Sequence, residues 1–222
     1  MNGAPAGAPW RCMLVTDRRR FELSAPALVE RARWAALAGV GVIQVREHDL
    51  PDRDLVELVR AIVEAAASPC RVVVNDRADI AIAAGASGVH LRADSMPATR
   101  VRELLPRGML LGRSIHSRDD AVAAAGGCDY LLFGTVFPSQ GKADGHAVAG
   151  LDELREVCRA VPTPVIAIGG IDAARAAAAA DGGASGVAAI GAFMAAADAR
   201  SMRARVDDVR RAFDTRFPGC LQ

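Results

Sequence analysis

Residues 164–171 read Pro-Val-Ile-Ala-Ile-Gly-Gly-Ile, a short unbroken apolar run that ends in a pair of glycines. Such a run predicts a β-strand covered on both faces, because a half-exposed strand would alternate apolar and polar residues. Parallel strands of α/β proteins are covered in this way. Similar runs recur along the chain and predict eight strands: Cys12–Thr16, Val42–Arg46, Arg71–Val74, Gly88–Leu91, Met109–Ser114, Tyr130–Gly134, Val165–Ile168 and Gly186–Ile190.

Longer stretches rich in Ala and Leu, with helical periodicity, separate these runs. They predict helices over Ala25–Ala38, Asp52–Ala67, Ala78–Ala84, Pro97–Leu105, Arg118–Ala125, Leu151–Ala160, Ala173–Ala180 and Met202–Phe213. Eight strands alternating with eight helices favour a closed (β/α)8 TIM barrel over an open doubly wound sheet. We expect a single domain over residues 1–222, with flexible ends at about 1–10 and 216–222.

A repeated pentapeptide supports the barrel. The string Gly-Ala-Ser-Gly-Val occurs at Gly85–Val89 and again at Gly183–Val187, each time leading into a predicted strand. These would be strands four and eight, which occupy equivalent positions in two half-barrels.

The composition argues against several classes of protein. With 51% hydrophobic residues the chain can fill a large core, while a net charge of +1 gives no nucleic-acid footprint or basic membrane patch. No apolar run approaches the roughly 20 residues of a membrane span. The five cysteines form no C-x-x-C pair and are odd in number, which is typical of a reducing compartment. We expect a cytoplasmic protein that could form homo-oligomers.

Polar residues cluster where the predicted strands end and are absent from the strand interiors. In a barrel these ends converge on one rim, which carries the binding and catalytic groups. The glycines Gly169, Gly170 and Gly191 follow strands seven and eight, where barrels often bind phosphate through backbone N–H groups. The alternative is that these glycines only turn the chain.

A second anion site is predicted from Arg46, Asn75, Asp76 and Lys142. The two cations would hold phosphate oxygens, and Asp76 could hold Mg²⁺ together with substrate phosphates. The alternative is a ring of structural ion pairs at the rim.

Three further rim features are considered for a role in catalysis. His116 could exchange a proton near neutral pH or only hydrogen-bond a neighbour. His90 lies within a strand end and is interpreted as structural. The segment Phe137–Gly150 is long and rich in glycine, and we interpret it as a lid able to close over a ligand.

The rim strings resemble those of the thiamine phosphate synthase family and its close relative, thiazole tautomerase. They occur in family order from strand one to strand seven and cover nearly the whole chain. The matching segments are Leu14–Asp17, Gly41–Glu47, Val74–Arg77, Gly88–Leu91, Gly112–His116, Asp129–Pro138 and Pro164–Ile171.

The resemblance implies that the chain joins a hydroxymethylpyrimidine pyrophosphate to a thiazole phosphate and releases pyrophosphate. Mg²⁺ would bind the departing pyrophosphate, and the thiazole nitrogen would capture the cationic pyrimidine methylene. The implied pyrimidine pyrophosphate ligands are Gln44, Arg46, Asn75 and Lys142, with Asp76 on the metal, Ser114 on the pyrimidine and Arg77 as a further substrate-binding candidate. The implied thiazole phosphate ligands are Ser139, Gly169, Gly170, Ile190 and Gly191.

Three departures from the family pattern lean toward the tautomerase. The usual Lys after Arg-Glu is His48, and the lid reads Ser139-Gln140-Gly141-Lys142 in place of Thr-x-Thr-Lys. Ser95 replaces the second metal carboxylate, for which Asp94 is a candidate substitute. In a tautomerase, His116 would shuttle a proton on a thiazole carboxylate phosphate. We put the synthase first, the tautomerase second, and a non-catalytic protein that binds thiazole phosphate or thiamine phosphate third.

Overall fold

The structure is a computed structural model that describes residues 11–139 and 148–215. Eight parallel strands close into a barrel in chain order, so the predicted (β/α)8 barrel is confirmed. The last strand returns to the first, with Val187 opposite Cys12. The strands are β1 Cys12–Val15, β2 Val42–Val45, β3 Arg71–Asn75, β4 Gly88–Leu91, β5 Leu110–Ile115, β6 Tyr130–Phe133, β7 Val165–Ile168 and β8 Gly186–Ala189.

A helix follows each strand, and β8 is followed by two. The last helix begins at Ala199 rather than at the predicted Met202, because Asp198 caps it by accepting the N–H of Ser201 at 2.7 Å. The helices are α1 Ala25–Leu37, α2 Asp52–Ala66, α3 Ala78–Ala84, α4 Ala98–Leu104, α5 Arg118–Ala125, α6 Gly150–Ala160, α7 Ala173–Asp181, α8 Gly191–Met194 and α9 Ala199–Asp214.

The barrel interior is apolar below and polar toward the carboxyl ends of the strands. Val42 and Val73 belong to the buried interior cluster. Because side chains alternate along a strand, Gln44 and Asn75 lie on the same inward face one layer higher. The ring of Tyr130 fills the space below, and a Cβ at Gly112 would lie 2.1 Å from that ring. The larger core packs between strands and helices.

The repeated pentapeptide occupies equivalent places in the two half-barrels. The N–H of Ser87 donates to Val72 of β3 at 2.7 Å, and the N–H of Ser185 donates to Val165 of β7 at the same distance. Each copy therefore docks its strand against the preceding one in the same way.

Three predictions concern segments outside the described residues: the flexible ends at 1–10 and 216–222, and most of the lid, residues 140–147. Among the helices of the described chain, none combines the length and the apolar character needed to cross a bilayer.

Candidate active site

The carboxyl ends of the strands surround a mouth of about 1190 Å³. Groups from strands far apart in sequence therefore meet at one opening, as the rim rule predicts. Of the residues singled out from the sequence, the mouth is lined by Gln44, Arg46, Asn75, Asp94, Ser114, His116, Ser139, Gly169, Gly170, Ile190 and Gly191.

Two buried amides form part of the wall of this mouth. The Nε2 group of Gln44 donates to Oδ1 of Asn75 at 3.1 Å, and the residues are only 2% and 7% exposed. This bond leaves Oε1 of Gln44 and Nδ2 of Asn75 without a partner among the described residues. An unsatisfied buried amide costs about 1–3 kcal/mol. One free acceptor beside one free donor is a recognition element for a heteroaromatic edge that carries both.

Asp76 follows the amide pair at the end of β3. It lies in a side cavity of about 150 Å³ that shares Asn75 and His48 with the mouth. Its carboxylate accepts a hydrogen bond from the hydroxyl of Ser95. Asp94 instead pairs with the guanidinium of Arg92 at 2.6 Å, and its side chain is 70% exposed. Ser95, and not Asp94, therefore faces Asp76.

This donor set bears on the Mg²⁺ predicted from the sequence. Within 11–139 and 148–215, no cluster of three or more His, Cys, Asp or Glu side chains is placed to hold a metal ion. Asp76 offers one carboxylate, with the Ser95 hydroxyl beside it. Mg²⁺ is commonly held by one or two carboxylates plus substrate phosphates. The arrangement thus fits an ion that arrives with a diphosphate, and not an all-protein cage.

The same side of the mouth is rich in cations. Arg20, Arg46, His48 and Arg92 line it. Burial, reinforced by the charges of Arg46 and Arg92, lowers the pKa of His48. The imidazole is therefore largely neutral at neutral pH, and the arginines supply the permanent positive charge. Arg20 belongs to the run Arg18-Arg19-Arg20, for which the sequence predicts a solvated loop, with a contact to substrate phosphate as the alternative.

Arg77 is not brought to the mouth. Its guanidinium donates to Asp52 at 2.7 Å and to Asp79 at 2.6 Å, and these hydrogen bonds raise its pKa. It borders only the side cavity. Both partners hold the side chain at the start of α2 and α3, beside the side cavity that Asp76 also lines, so substrate binding by Arg77 stays a prediction.

Ser114 and His116 approach the mouth from β5. The hydroxyl of Ser114 is hydrogen-bonded at 2.9 Å to Nε2 of His90, which is fully buried. The Nδ1–H of His116 donates to the carbonyl of Gly134 at 2.6 Å. Nε2 of His116 is therefore left available to a ligand.

The opposite side of the mouth is built from glycines. Gly169 and Gly170 have φ of +107° and +62°, a conformation that favours glycine. Arg175 on α7 donates to the carbonyl of Gly170 at 2.7 Å and to that of Pro138 at 3.4 Å. It ties the loop after β6 to the loop after β7. Arg175 lies inside a helix and not at a strand end, so the rim rule missed it.

Lys142, predicted as a cation that holds the pyrimidine pyrophosphate, lies outside the described residues. Ser139, at the start of that loop, lines the mouth.

Comparison with known proteins agrees with this geometry. A family model described as thiamine monophosphate synthase matches residues 12–193. The chain belongs to the thiamine monophosphate synthase family. It is 44% identical over 181 residues to a thiamine-phosphate synthase of Methanoculleus marisnigri, covering 79% of this chain and 86% of that one. It is 43% identical over 179 residues to a thiamine-phosphate synthase of Anaeromyxobacter dehalogenans, covering 80% and 81%.

A solved structure gives the same result. Thiamine phosphate pyrophosphorylase from Pyrococcus furiosus superposes with a TM-score of 0.81 at 31% identity, covering 94% of this chain and 98% of that one. The family resemblance inferred from the rim strings is therefore confirmed.

Proposed function

We propose that this chain couples hydroxymethylpyrimidine pyrophosphate to thiazole phosphate, giving thiamine phosphate and pyrophosphate. The observation that carries the proposal is the buried amide pair of Gln44 and Asn75 in the wall of a mouth lined by arginines, because their mutual hydrogen bond leaves Oε1 of Gln44 and Nδ2 of Asn75 without a partner among the described residues. An aminopyrimidine presents an N–H donor next to a ring-nitrogen acceptor, which complements these two atoms. The names of the relatives point to the same reaction.

The two ends of the mouth suit the two charged groups. We propose that the diphosphate binds beside Arg46 and Asp76, and that the thiazole phosphate binds beside Gly169, Gly170 and Gly191, residues that line the side cavity and the mouth. The reaction breaks the bond between the pyrimidine methylene carbon and the diphosphate oxygen, and pyrophosphate leaves with the electron pair. The thiazole nitrogen then donates its lone pair to the methylene cation, which forms the new C–N bond.

Charge stabilisation of the leaving group is the main task of the protein. Arg46 lies on the diphosphate side as a permanent cation and could donate two parallel hydrogen bonds to phosphate oxygens. Asp76, beside the hydroxyl of Ser95, would hold Mg²⁺. When bound, the ion supplies further positive charge to the departing pyrophosphate. Ser114 orients the pyrimidine, and the lid with Lys142 is proposed to exclude water.

The proposal is tested by incubating purified protein with both substrates, with and without Mg²⁺, and measuring thiamine phosphate by mass spectrometry. We expect thiamine phosphate and pyrophosphate in equal amounts and a strong dependence of the rate on Mg²⁺. Gln44→Leu should lower kcat/KM at least tenfold, because it removes the uncharged amide that would hydrogen-bond the pyrimidine. The exposed α2 variant Glu57→Gln is the matched control. No product under any condition rules out the synthase.

One observation favours a second function, thiazole tautomerase. His116 keeps Nε2 available at the mouth while Nδ1 is held by Gly134, which is the arrangement that a proton shuttle needs. Under this hypothesis His116→Ala abolishes isomerisation of a thiazole carboxylate phosphate. Full isomerase activity in that variant would end the assignment. If neither reaction proceeds and thiazole phosphate still binds, the chain is a binding protein.

We further propose a cytoplasmic location, which the free thiols of Cys12, Cys70, Cys128 and Cys158 support. Both substrates are small and phosphorylated. Assembly into homo-oligomers is a separate proposal, which the oligomeric state in solution tests.

A further inference from the structure

The loop between β4 and α4 is held rigidly against the rim by a single guanidinium. Arg113 of β5 donates to the carbonyls of Ala93 at 2.6 Å, Ser95 at 2.9 Å and Met96 at 2.7 Å. Three hydrogen bonds from one charged group are a strong restraint, because charge-assisted bonds are roughly twice as strong as neutral ones. The loop therefore presents its side chains from a fixed backbone.

A second attachment joins this loop to Asp76. The hydroxyl of Ser95 accepts the N–H of Arg92 at 3.0 Å and donates to the Asp76 carboxylate. One hydroxyl thus links the start of the loop to the end of β3 without a metal ion. The link adds no negative charge, because Asp76 supplies the one carboxylate among the three described residues that it joins.

What the loop presents to the mouth is a cation. Arg92 lines the opening together with Arg46 and His48. Among the described side chains, Arg92 forms an ion pair only with Asp94. The Arg92 side chain is 54% exposed and the Asp94 side chain is 70% exposed. Exposed ion pairs contribute little to stability, so the guanidinium can exchange Asp94 for another anion at small cost.

We infer that Arg92 is a binding residue for the diphosphate of the pyrimidine substrate, acting beside Arg46; this inference rests on the function proposed above. A guanidinium binds phosphate oxygens through two parallel N–H groups, which a lone imidazole such as His48 does not provide. In this chain, then, part of the charge that neutralises the leaving group comes from a rigidly presented arginine. Asp94 is the competitor for that arginine in the free protein.

The test compares three variants in the coupling assay. Arg92→Ala raises the KM for the pyrimidine diphosphate about tenfold, because it removes one charge-assisted contact. The KM for thiazole phosphate stays unchanged. Asp94→Asn lowers the KM for the diphosphate, because it frees the guanidinium. When Arg92→Ala is already present, Asp94→Asn does not change the KM for the diphosphate further. Arg100→Ala, on exposed α4, is the matched control.

A binding measurement separates this inference from the proposed function. Calorimetry with inorganic pyrophosphate, in EDTA and in Mg²⁺, gives the affinity without any reaction. We expect Arg92→Ala to weaken binding about tenfold in both conditions. Weakened binding in a protein that makes no thiamine phosphate would support Arg92 while rejecting the synthase. Equal pyrophosphate affinity in the parent protein and Arg92→Ala overturns the inference, whatever the activity.

Discussion

The imidazole Nε2 of His90 lies 2.9 Å from the hydroxyl oxygen of Ser114, inside the barrel and directly below the mouth. The other ring nitrogen of His90 is 3.0 Å from the hydroxyl of Tyr130, and the two rings stack with centroids 5.5 Å apart. Both nitrogens are therefore occupied, and His90 itself does not line the mouth. Its role is to hold the hydroxyl of Ser114 in one orientation toward a ligand.

The first prediction follows from this contact. His90→Leu and Ser114→Ala should each lower kcat/KM about tenfold. Ser114→Ala removes the hydroxyl, and His90→Leu removes the hydrogen bond that orients it. In the double variant the two losses should not add, because partners in one hydrogen bond are coupled. Steady-state kinetics on the four proteins measures this. Fully additive losses would mean that His90 and Ser114 act independently.

The second prediction concerns stability and pH. Burial, with a contribution from Arg113, lowers the pKa of His90 from 6.5 to about 3. Between these values the unfolded chain binds a proton that the folded chain does not, so the free energy of unfolding falls as pH falls through this window. The slope from this one group is at most about 1.4 kcal/mol per pH unit.

Urea unfolding at about pH 7 and about pH 5 checks this sign. The parent protein should lose more stability than His90→Gln on acidification, because the variant has no imidazole to protonate in its unfolded state. The difference between the two proteins isolates His90 from carboxylates such as Glu47. An identical loss in both proteins would contradict a neutral, buried His90.

The third prediction separates two glycines of the phosphate side. A Cβ at Gly169, where φ is +107°, would lie 2.5 Å from Cγ2 of Thr135, whereas a Cβ at Gly191 meets no atom within 4 Å. Gly169→Ala should therefore cost about 1–3 kcal/mol of stability. Gly191→Ala should have the melting temperature of the parent protein. It should still raise the KM for thiazole phosphate, because the added methyl group occupies part of the proposed phosphate site. An unchanged KM in Gly191→Ala would place the phosphate elsewhere.

The fourth prediction addresses Asp76, the proposed Mg²⁺ ligand. Ser95→Asp places a second carboxylate beside Asp76, so less Mg²⁺ should be needed for half-maximal activity. Without the ion the two like charges repel, and the melting temperature in EDTA should fall and recover when Mg²⁺ is added. Ser95→Asn, which has the shape without the charge, is the control. Equal Mg²⁺ requirements in both variants would argue against an ion at Asp76.

Much of this site can be predicted from the alternation of side chains between the two faces of each strand. Once Val42 and Val73 are assigned to the interior, Gln44 and Asn75 must face the same side one layer higher. The same rule places Ser114 at the mouth. These positions depend only on the strand pattern and on the convergence of strand ends in a barrel, so the sequence suffices to predict them.

Arg77 marks the limit of that rule. Both arginines come shortly after a strand, Arg46 one residue past β2 and Arg77 two residues past β3, yet only Arg46 lines the mouth. Asp76 adopts a left-handed conformation, with φ of +58°, which turns the chain before Arg77. The guanidinium then meets two carboxylates of the helical layer, Asp52 and Asp79. A reversal of this kind depends on backbone torsions that no periodicity encodes.

Contacts between loops were equally beyond the sequence. Whether Asp94 or Ser95 faces Asp76 depends on a one-residue difference in the turn after β4, and the turn is set by the three bonds from Arg113. Arg175 lies in α7, and it belongs to the site because its guanidinium reaches the carbonyls of Gly170 and Pro138 in two different rim loops. Such contacts join segments far apart in sequence and require the assembled barrel.

The most direct test of the central claim is a crystal structure of the protein with thiamine phosphate and pyrophosphate. The account predicts the pyrimidine edge within hydrogen-bonding distance of Oε1 of Gln44 and Nδ2 of Asn75, and the phosphate beside Gly170 and Gly191. Pyrophosphate should lie against Arg46. A pyrimidine bound away from the amide pair, or ligands that occupy only the outer surface, would contradict it.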